Sequence, residues 1–244
     1  LAYVNLVLIW TTKYFKQADL TMQLDPKKTV FLIDGSSFLY RAYYGMRPLH
    51  GLDGKPVQAV YSFCRIIKKL LDKFSPHYIA LVWDSKGKTE RHAIYPAYKA
   101  TRQAAPSDLF EQKNKIIEFA DLIGLHQVAQ VGVEADDLLY SLAKDFSQAG
   151  QKVVLVTSDK DMFQLLNDQI VVFDAFKDEF LTREQYESKL GFSVAKIPFY
   201  FALLGDSSDN IPGVRGIGAK GATDLVKQFK NLDDLYENLK QVDK

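Results

Sequence analysis

Cysteine is almost absent from this chain: Cys64 is the only one in 244 residues. No disulfide framework is available within the chain, and a reducing compartment is its natural setting. Histidine is scarce, and His50, His77, His92 and His126 are scattered rather than spaced like zinc ligands. A surplus of one charge is also missing, because 31 Lys and Arg face 30 Asp and Glu for a formal net charge of +1. That balance excludes a histone-like or polybasic protein, although it can hide local segregation of opposite signs. Long apolar runs are missing too. Leu1 to Trp10 is apolar except for Asn5, which is short of the roughly 20 residues a bilayer span needs. It lacks the basic start and small-residue cleavage site of a secretory signal. The expectation is therefore a cytoplasmic protein without a membrane partner. Leu1 to Thr21, which opens without Met while Met22 precedes the first clear strand, reads as an appendage or a mis-set start, with a helix packed on the core as the alternative.

The chain does contain three short β-branched or apolar runs that lead into an acid: Thr29 to Ile33 before Asp34, Tyr78 to Trp83 before Asp84, and Val153 to Thr157 before Asp159. Runs this continuous predict strands buried on both faces. Ile170 to Phe173 predicts another. Tyr61 to Phe74, Leu109 to Ile123 and Asp136 to Gln148 carry apolar residues at helical spacing. The alternation predicts an α/β fold, a mostly parallel sheet flanked by helices. Past about Leu181 the strand signal fades, so the expected division is an α/β core over 22–184 and a helical lobe over 185–244.

In an open parallel sheet, ligands bind beyond the carboxyl ends of the strands, so Asp34, Asp84 and Asp159 are expected on one edge. Glu134, Asp136 and Asp137 open a predicted helix, Asp161 follows Asp159, and Asp206 and Asp209 share a turn. Each acid alone has a plain reading as a helix cap or dipole partner. Together they would repel unless cations lay among them. An all-oxygen set suits Mg²⁺ or Mn²⁺. Two such ions roughly 3.5 to 4 Å apart can activate water and stabilise the oxygens of an in-line phosphoryl displacement.

From Ser85 to Ala105 the bases Lys86, Lys88, Arg91, Lys99 and Arg102 face the single acid Glu90, with Tyr95 and Tyr98 interleaved. Rings among cations can stack bases while tracking phosphates. The plain alternative is a solvated loop. Placed above the acidic edge, Lys99 and Arg102 can neutralise charge developing on a phosphate. Gly216 to Gly221 spells G-x-G-x-x-G, but the dinucleotide fingerprint needs a strand directly before it, and Asn210, Ile211, Pro212 and Gly213 stand there instead. Gly213 to Gly218 reads as a tight turn between short helices, whose amides and Arg215, Lys220, Lys227 and Lys230 suit a duplex backbone. A packing corner between two helices is the alternative.

These residues resemble a known family. Phe31 to Ser37 with Arg41 and Ala42, Lys86 to Thr89 with Arg91 and His92, Tyr95 to Arg102, Gly132 to Asp137, Ser158 to Asp161 and Gly205 to Gly213 are similar to the 5'-3' exonuclease domain of bacterial DNA polymerase I, within the flap endonuclease family. The resemblance runs in order from about Thr29 to Phe229. It implies a structure-specific nuclease acting on branched DNA with a 5' end, in replication and repair. It implies one metal group at Asp34, Asp84, Glu134 and Asp136 and a second at Asp137, Asp159, Asp161, Asp206 and Asp209. The arch of that family falls on Lys86 to Arg102, with Tyr98 stacking and Lys99 and Arg102 acting on the phosphate. Arg41, Lys86, Lys88, Arg91, Gly213, Arg215, Gly216, Gly218 and Lys220 would complete the DNA contacts. A helix-hairpin-helix over Gly213 to Ala222, often holding K⁺, is implied as well. Gly221 stands where that family commonly has Thr, and Trp83 where it has Phe. A polymerase partner, in the same or another chain, and a monomeric state are expected. The end at Lys244 reads as a short stand-alone nuclease or a fragment of something longer. The rivals are a PIN-type ribonuclease, which generally lacks the hairpin, and a non-catalytic branch-binding protein, which would have lost some acids.

Overall fold

The computed structural model describes residues 24–242, so the reading of Leu1 to Thr21 lies outside the described residues. Six strands form the central sheet: β1 (Thr29–Asp34), β2 (Tyr78–Val82), β3 (His126–Val128), β4 (Lys152–Val156), β5 (Ile170–Asp174) and β6 (Glu179–Leu181). Their spatial order is β3-β2-β1-β4-β5-β6. The first five run parallel, and β6 pairs antiparallel with β5. β1 is buried along its whole length, with Phe31 and Ile33 in one apolar cluster and Val30 and Leu32 in the other. Covering both faces is why its sequence is a run rather than an alternation. β3 and β6 escaped the sequence reading because each is three residues long and lies at an edge, where little apolar patterning is required.

The helices are α1 (Gly35–Gly45), α2 (Gln58–Phe74), α3 (Glu90–Ile94), α4 (Ser107–Leu122), α5 (Ala135–Gln148), α6 (Arg183–Leu190), α7 (Ile197–Leu204), α8 (Ala219–Gln228) and α9 (Leu232–Glu237). Phe38, Phe63, Ile67 and Ile116 from α1, α2 and α4 pack on one face of the sheet. On the other, Leu139 of α5 shares a continuous cluster with Leu203, Val226 and Leu235 of α7, α8 and α9. Among the described residues no helix is long and apolar enough to cross a membrane.

Between α7 and α8 runs a small hairpin, β7 (Gly205–Asp206) with β8 (Ile211–Pro212). A Cβ on Gly213 would stand 2.2 Å from the Leu204 carbonyl oxygen, and one on Gly205 2.3 Å from the Gly213 nitrogen. Gly213, read from the sequence as a DNA-binding glycine, is therefore required for backbone packing. Gly221, by contrast, has room for a side chain, its nearest neighbour being Ile217 Cγ2 at 3.5 Å.

Candidate active site

β1 leads through β2 to β3 on one side, whereas β4 leads to β5 on the other, so the crevice forms where β1 and β4 end. There Asp34 closes β1 and caps α1, accepting from the Ser37 N–H at Oδ1 (2.9 Å) and from the Thr157 hydroxyl at Oδ2 (2.9 Å). Asp84 follows β2; its Oδ1 accepts from the Ala135 N–H (2.8 Å), and its own N–H donates to Ser36 Oγ (2.9 Å). Glu134 precedes α5 and is buried, while Asp136 and Asp137 occupy the first turn of that helix. Asp159 accepts from the Asp161 N–H at 3.0 Å. Asp206 and Asp209 come from the hairpin. Glu134, Asp136, Asp137, Asp161, Asp206 and Asp209 line one cleft of about 440 Å³. Trp83 is accommodated because α1 starts with glycine: a Cβ on Gly35 would lie 2.8 Å from its ring.

The basic insert lies across this edge. Arg91 makes a two-pronged pair with Asp137 (2.7 Å at each prong) and reaches Glu134 at 3.3 Å. Lys99 pairs with Glu134 at 3.1 Å and approaches Asp209 at 3.9 Å. Arg102 pairs with Asp209 and donates to the Ser208 carbonyl. From the other side Lys160 pairs with Asp206 at 2.9 Å. Backbone contacts fasten the insert to the hairpin. The Lys99 N–H donates to the Asp209 carbonyl (2.9 Å), and Asn210 Nδ2 donates to the Ala97 carbonyl (2.7 Å). Lys99 sits at φ 56°, a left-handed conformation sparsely populated by residues other than glycine.

These pairs divide the acids. Burial, then the nearby Asp34, Asp159 and Asp84, push Asp136 up to about 8. Burial pushes Asp34 to about 7 against its hydrogen bonds, with Asp159 and Asp84 adding repulsion. Asp161 is pushed to about 6, chiefly by burial and then by Asp159. The Arg91 hydrogen bond holds Asp137 below the usual range. Asp206 is held low by Lys160 and the Ser208 N–H, which outweigh its burial.

Asp161 Oδ1 is buried without a hydrogen-bond partner. That orphaned oxygen, in a cleft shared with Asp136, whose ionisation is resisted, fits a missing cation. The expected cages are nevertheless not closed. Among the described residues no three of His, Cys, Asp or Glu stand arranged to hold a metal ion, because the insert and Lys160 already occupy Glu134, Asp137, Asp206 and Asp209.

Tyr98 is placed otherwise than a free stacking ring would be. Its ring is 5% exposed, packs edge-on against His92, and its hydroxyl reaches Glu134 and Asp209, both at 2.9 Å. It cannot stack a base in this arrangement. Burial and those two carboxylates hold its hydroxyl in the protonated form. Arg41 lies away from the cleft lining, paired with Asp174 (3.1 Å) and over the Phe176 ring (4.4 Å). Lys86, Lys88, Arg215, Gly216, Gly218 and Lys220 are exposed. The sequence reading missed Lys160, Ser36 and Thr157, and the only available signal was their place beside acids at strand ends.

Residues 29–191 match a family model described as the 5'-3' exonuclease N-terminal resolvase-like domain, and residues 192–244 match the 5'-3' exonuclease C-terminal SAM fold. The chain is 39% identical over 211 residues to the 5'-3' exonuclease of Aquifex aeolicus, covering 86% of this chain and 73% of that protein. It is 40% identical over 215 residues to the thermostable DNA polymerase I of Thermus aquaticus, where the match takes in 88% of this chain but 26% of the polymerase. The fold resembles the bacteriophage T5 flap endonuclease solved with DNA and metal ions, at a TM-score of 0.71 and 22% identity over 86% of this chain and 79% of that one.

Proposed function

The chain belongs to the 5'-3' exonuclease family, and on that premise we propose that it is a divalent-metal-dependent nuclease hydrolysing phosphodiesters at the 5' ends and 5' flaps of branched DNA. The observation that carries this reading is the orphaned, buried oxygen of Asp161 in the cleft it shares with Asp136, whose ionisation is resisted, with Asp34 buried at the neighbouring strand end. Asp34, Asp84, Glu134 and Asp136 would hold one Mg²⁺ or Mn²⁺, and Asp137, Asp159, Asp161, Asp206 and Asp209 a second. When bound, such ions lower the pKa of water and stabilise phosphoryl oxygens.

The chain's own residues then bind and orient the strand. Arg91, Lys99 and Arg102 each hold a carboxylate now. With the acids' charge met by such ions, these side chains would be free to hold phosphate, where Lys99 and Arg102 would counter the developing charge. Tyr98 must leave its buried seat before it can stack a base. The uncapped amides at the start of α8, with Gly216, Gly218, Arg215 and Lys220 exposed beside them, suit a duplex backbone without reading its sequence. K⁺ at this turn, Lys86, Lys88 and Arg41 as further DNA contacts, and a core over 22–184 with a lobe over 185–244 belong to the same reading. So do a monomeric state, cytoplasmic work on nucleoid DNA, and a polymerase acting on the strand whose flap or RNA primer is removed. All nine acids are present, which disfavours a binding-only relative, and the α7 to α8 turn disfavours a PIN-type ribonuclease.

The test is cleavage of a 5'-flap DNA by purified protein. The expected result is 5'-phosphate products with Mg²⁺ and none with EDTA. Equal cutting without any divalent ion would falsify the metal mechanism.

A further inference from the structure

We propose that Thr157 is a positioning residue that ties the two groups of acids to one another. This rests on the metal-dependent reading above and adds a residue that the reading does not contain.

Thr157 follows β4 and is 1% exposed. Ile33 is registered against Val156 in the neighbouring strand, so the next residues along, Asp34 and Thr157, meet where the strand order reverses. The Thr157 oxygen has two partners, Asp34 Oδ2 at 2.9 Å and the Asp159 N–H at 3.1 Å. A backbone N–H can only donate, so the oxygen accepts from Asp159, and its single proton is left for Asp34. The Asp159 bond is therefore fixed in direction, and the hydroxyl proton goes to Asp34 when that carboxyl is ionised, the form that holds a cation.

Two consequences follow. With Ser37 N–H on Oδ1 and Thr157 on Oδ2, the Asp34 carboxylate is held at both oxygens and cannot turn about its last bond. The same hydroxyl also anchors the turn carrying Asp159, whose carboxylate fixes the Asp161 N–H. One buried side chain thus links Asp34 of the first group to Asp159 and Asp161 of the second. Partners of this kind, which orient a ligand without touching the ion, typically change metal affinity by about 10 to 100-fold when removed.

The experiment is Mn²⁺ titration calorimetry on the whole chain, with metal-free melting measured alongside. Thr157→Val, which keeps the shape and loses the hydroxyl, is expected to bind Mn²⁺ about 10 to 100-fold more weakly. Thr157→Ser is expected to restore most of the affinity. A folded valine variant with wild-type affinity overturns the proposal, as does a serine variant as weak as valine, since the loss would then follow the methyl group. If the valine chain does not fold, Thr157→Ala, which also lacks a hydrogen-bonding group, replaces it, and wild-type affinity in that variant overturns the proposal in the same way. A wild-type chain that binds no Mn²⁺ overturns the metal reading itself, and this inference with it, an outcome distinct from all the others.

Discussion

Asp34, Asp136 and Asp161 share one sheet edge with Glu134, Asp137, Asp206 and Asp209, yet the two sets settle their charge in opposite ways. The first set is largely withdrawn from water and lies near other acids, so its ionisation is resisted up to about pH 6 to 8. The second is held by Arg91, Lys99, Arg102 and Lys160. The difference separates acids that the chain's own cations leave under-compensated, Lys99 and Lys160 acting on Asp136 and Asp161 only weakly against burial, from acids that the chain pairs directly. It also gives the basic insert two roles, counter-ion to the acids in this arrangement and phosphate ligand once substrate and metal arrive.

The largest effect expected is on the unpaired set. Asp136→Asn should reduce flap cleavage to background while DNA binding persists, and its metal-free melting temperature should rise because a buried repulsion is gone. A metal-free melt below wild type would break the comparison. Next comes the paired set. Lys99→Ala should slow cleavage by about 10²-fold and leave duplex binding little changed. Lys220→Ala, on the exposed start of α8, should weaken binding and lower its salt slope by about 0.9. The reverse pattern in a parallel cleavage and binding assay would mean that the roles of arch and hairpin are exchanged.

The smallest effect concerns stability against pH in EDTA. Asp161, Asp34 and Asp136 are raised to about 6, 7 and 8 from an ordinary value of 3.8, so the folded chain binds protons that the unfolded chain has released. Their contribution is fully present below pH 3.8 and is lost as pH climbs through those raised values. Melting temperature without metal should therefore begin to fall above about pH 4 and level off near pH 8, and millimolar Mg²⁺ should flatten the fall by binding linkage. A flat metal-free profile would remove the distinction between the two sets.

Much of this was legible in the amino acids themselves. β1, β2, β4 and β5 announce themselves as apolar runs because a strand covered on both faces has no polar side to show. The acids behind three of them, and the basic character of residues 85–105, are visible by inspection. The buried seat of Tyr98 was not legible, because an aromatic among cations looks the same whether it is open to a base or folded beneath Glu134 and Asp209. β3 and β6 are too short to carry a pattern, and pairing with β2 and β5 is what makes them strands.

By itself, the order of residues determined an α/β sheet with carboxylates at its strand ends and a cationic segment between β2 and α4, since these depend on local propensity and on burial periodicity. Only the tertiary structure decided which acid meets which base, and that Thr157 stands between Asp34 and Asp159. The physical reason is separation along the chain. Arg91 lies 46 residues from Asp137, Arg102 lies 107 from Asp209 and Thr157 lies 123 from Asp34, so their contacts exist only once the β1–β4 pairing and the hairpin have brought distant segments within hydrogen-bond reach.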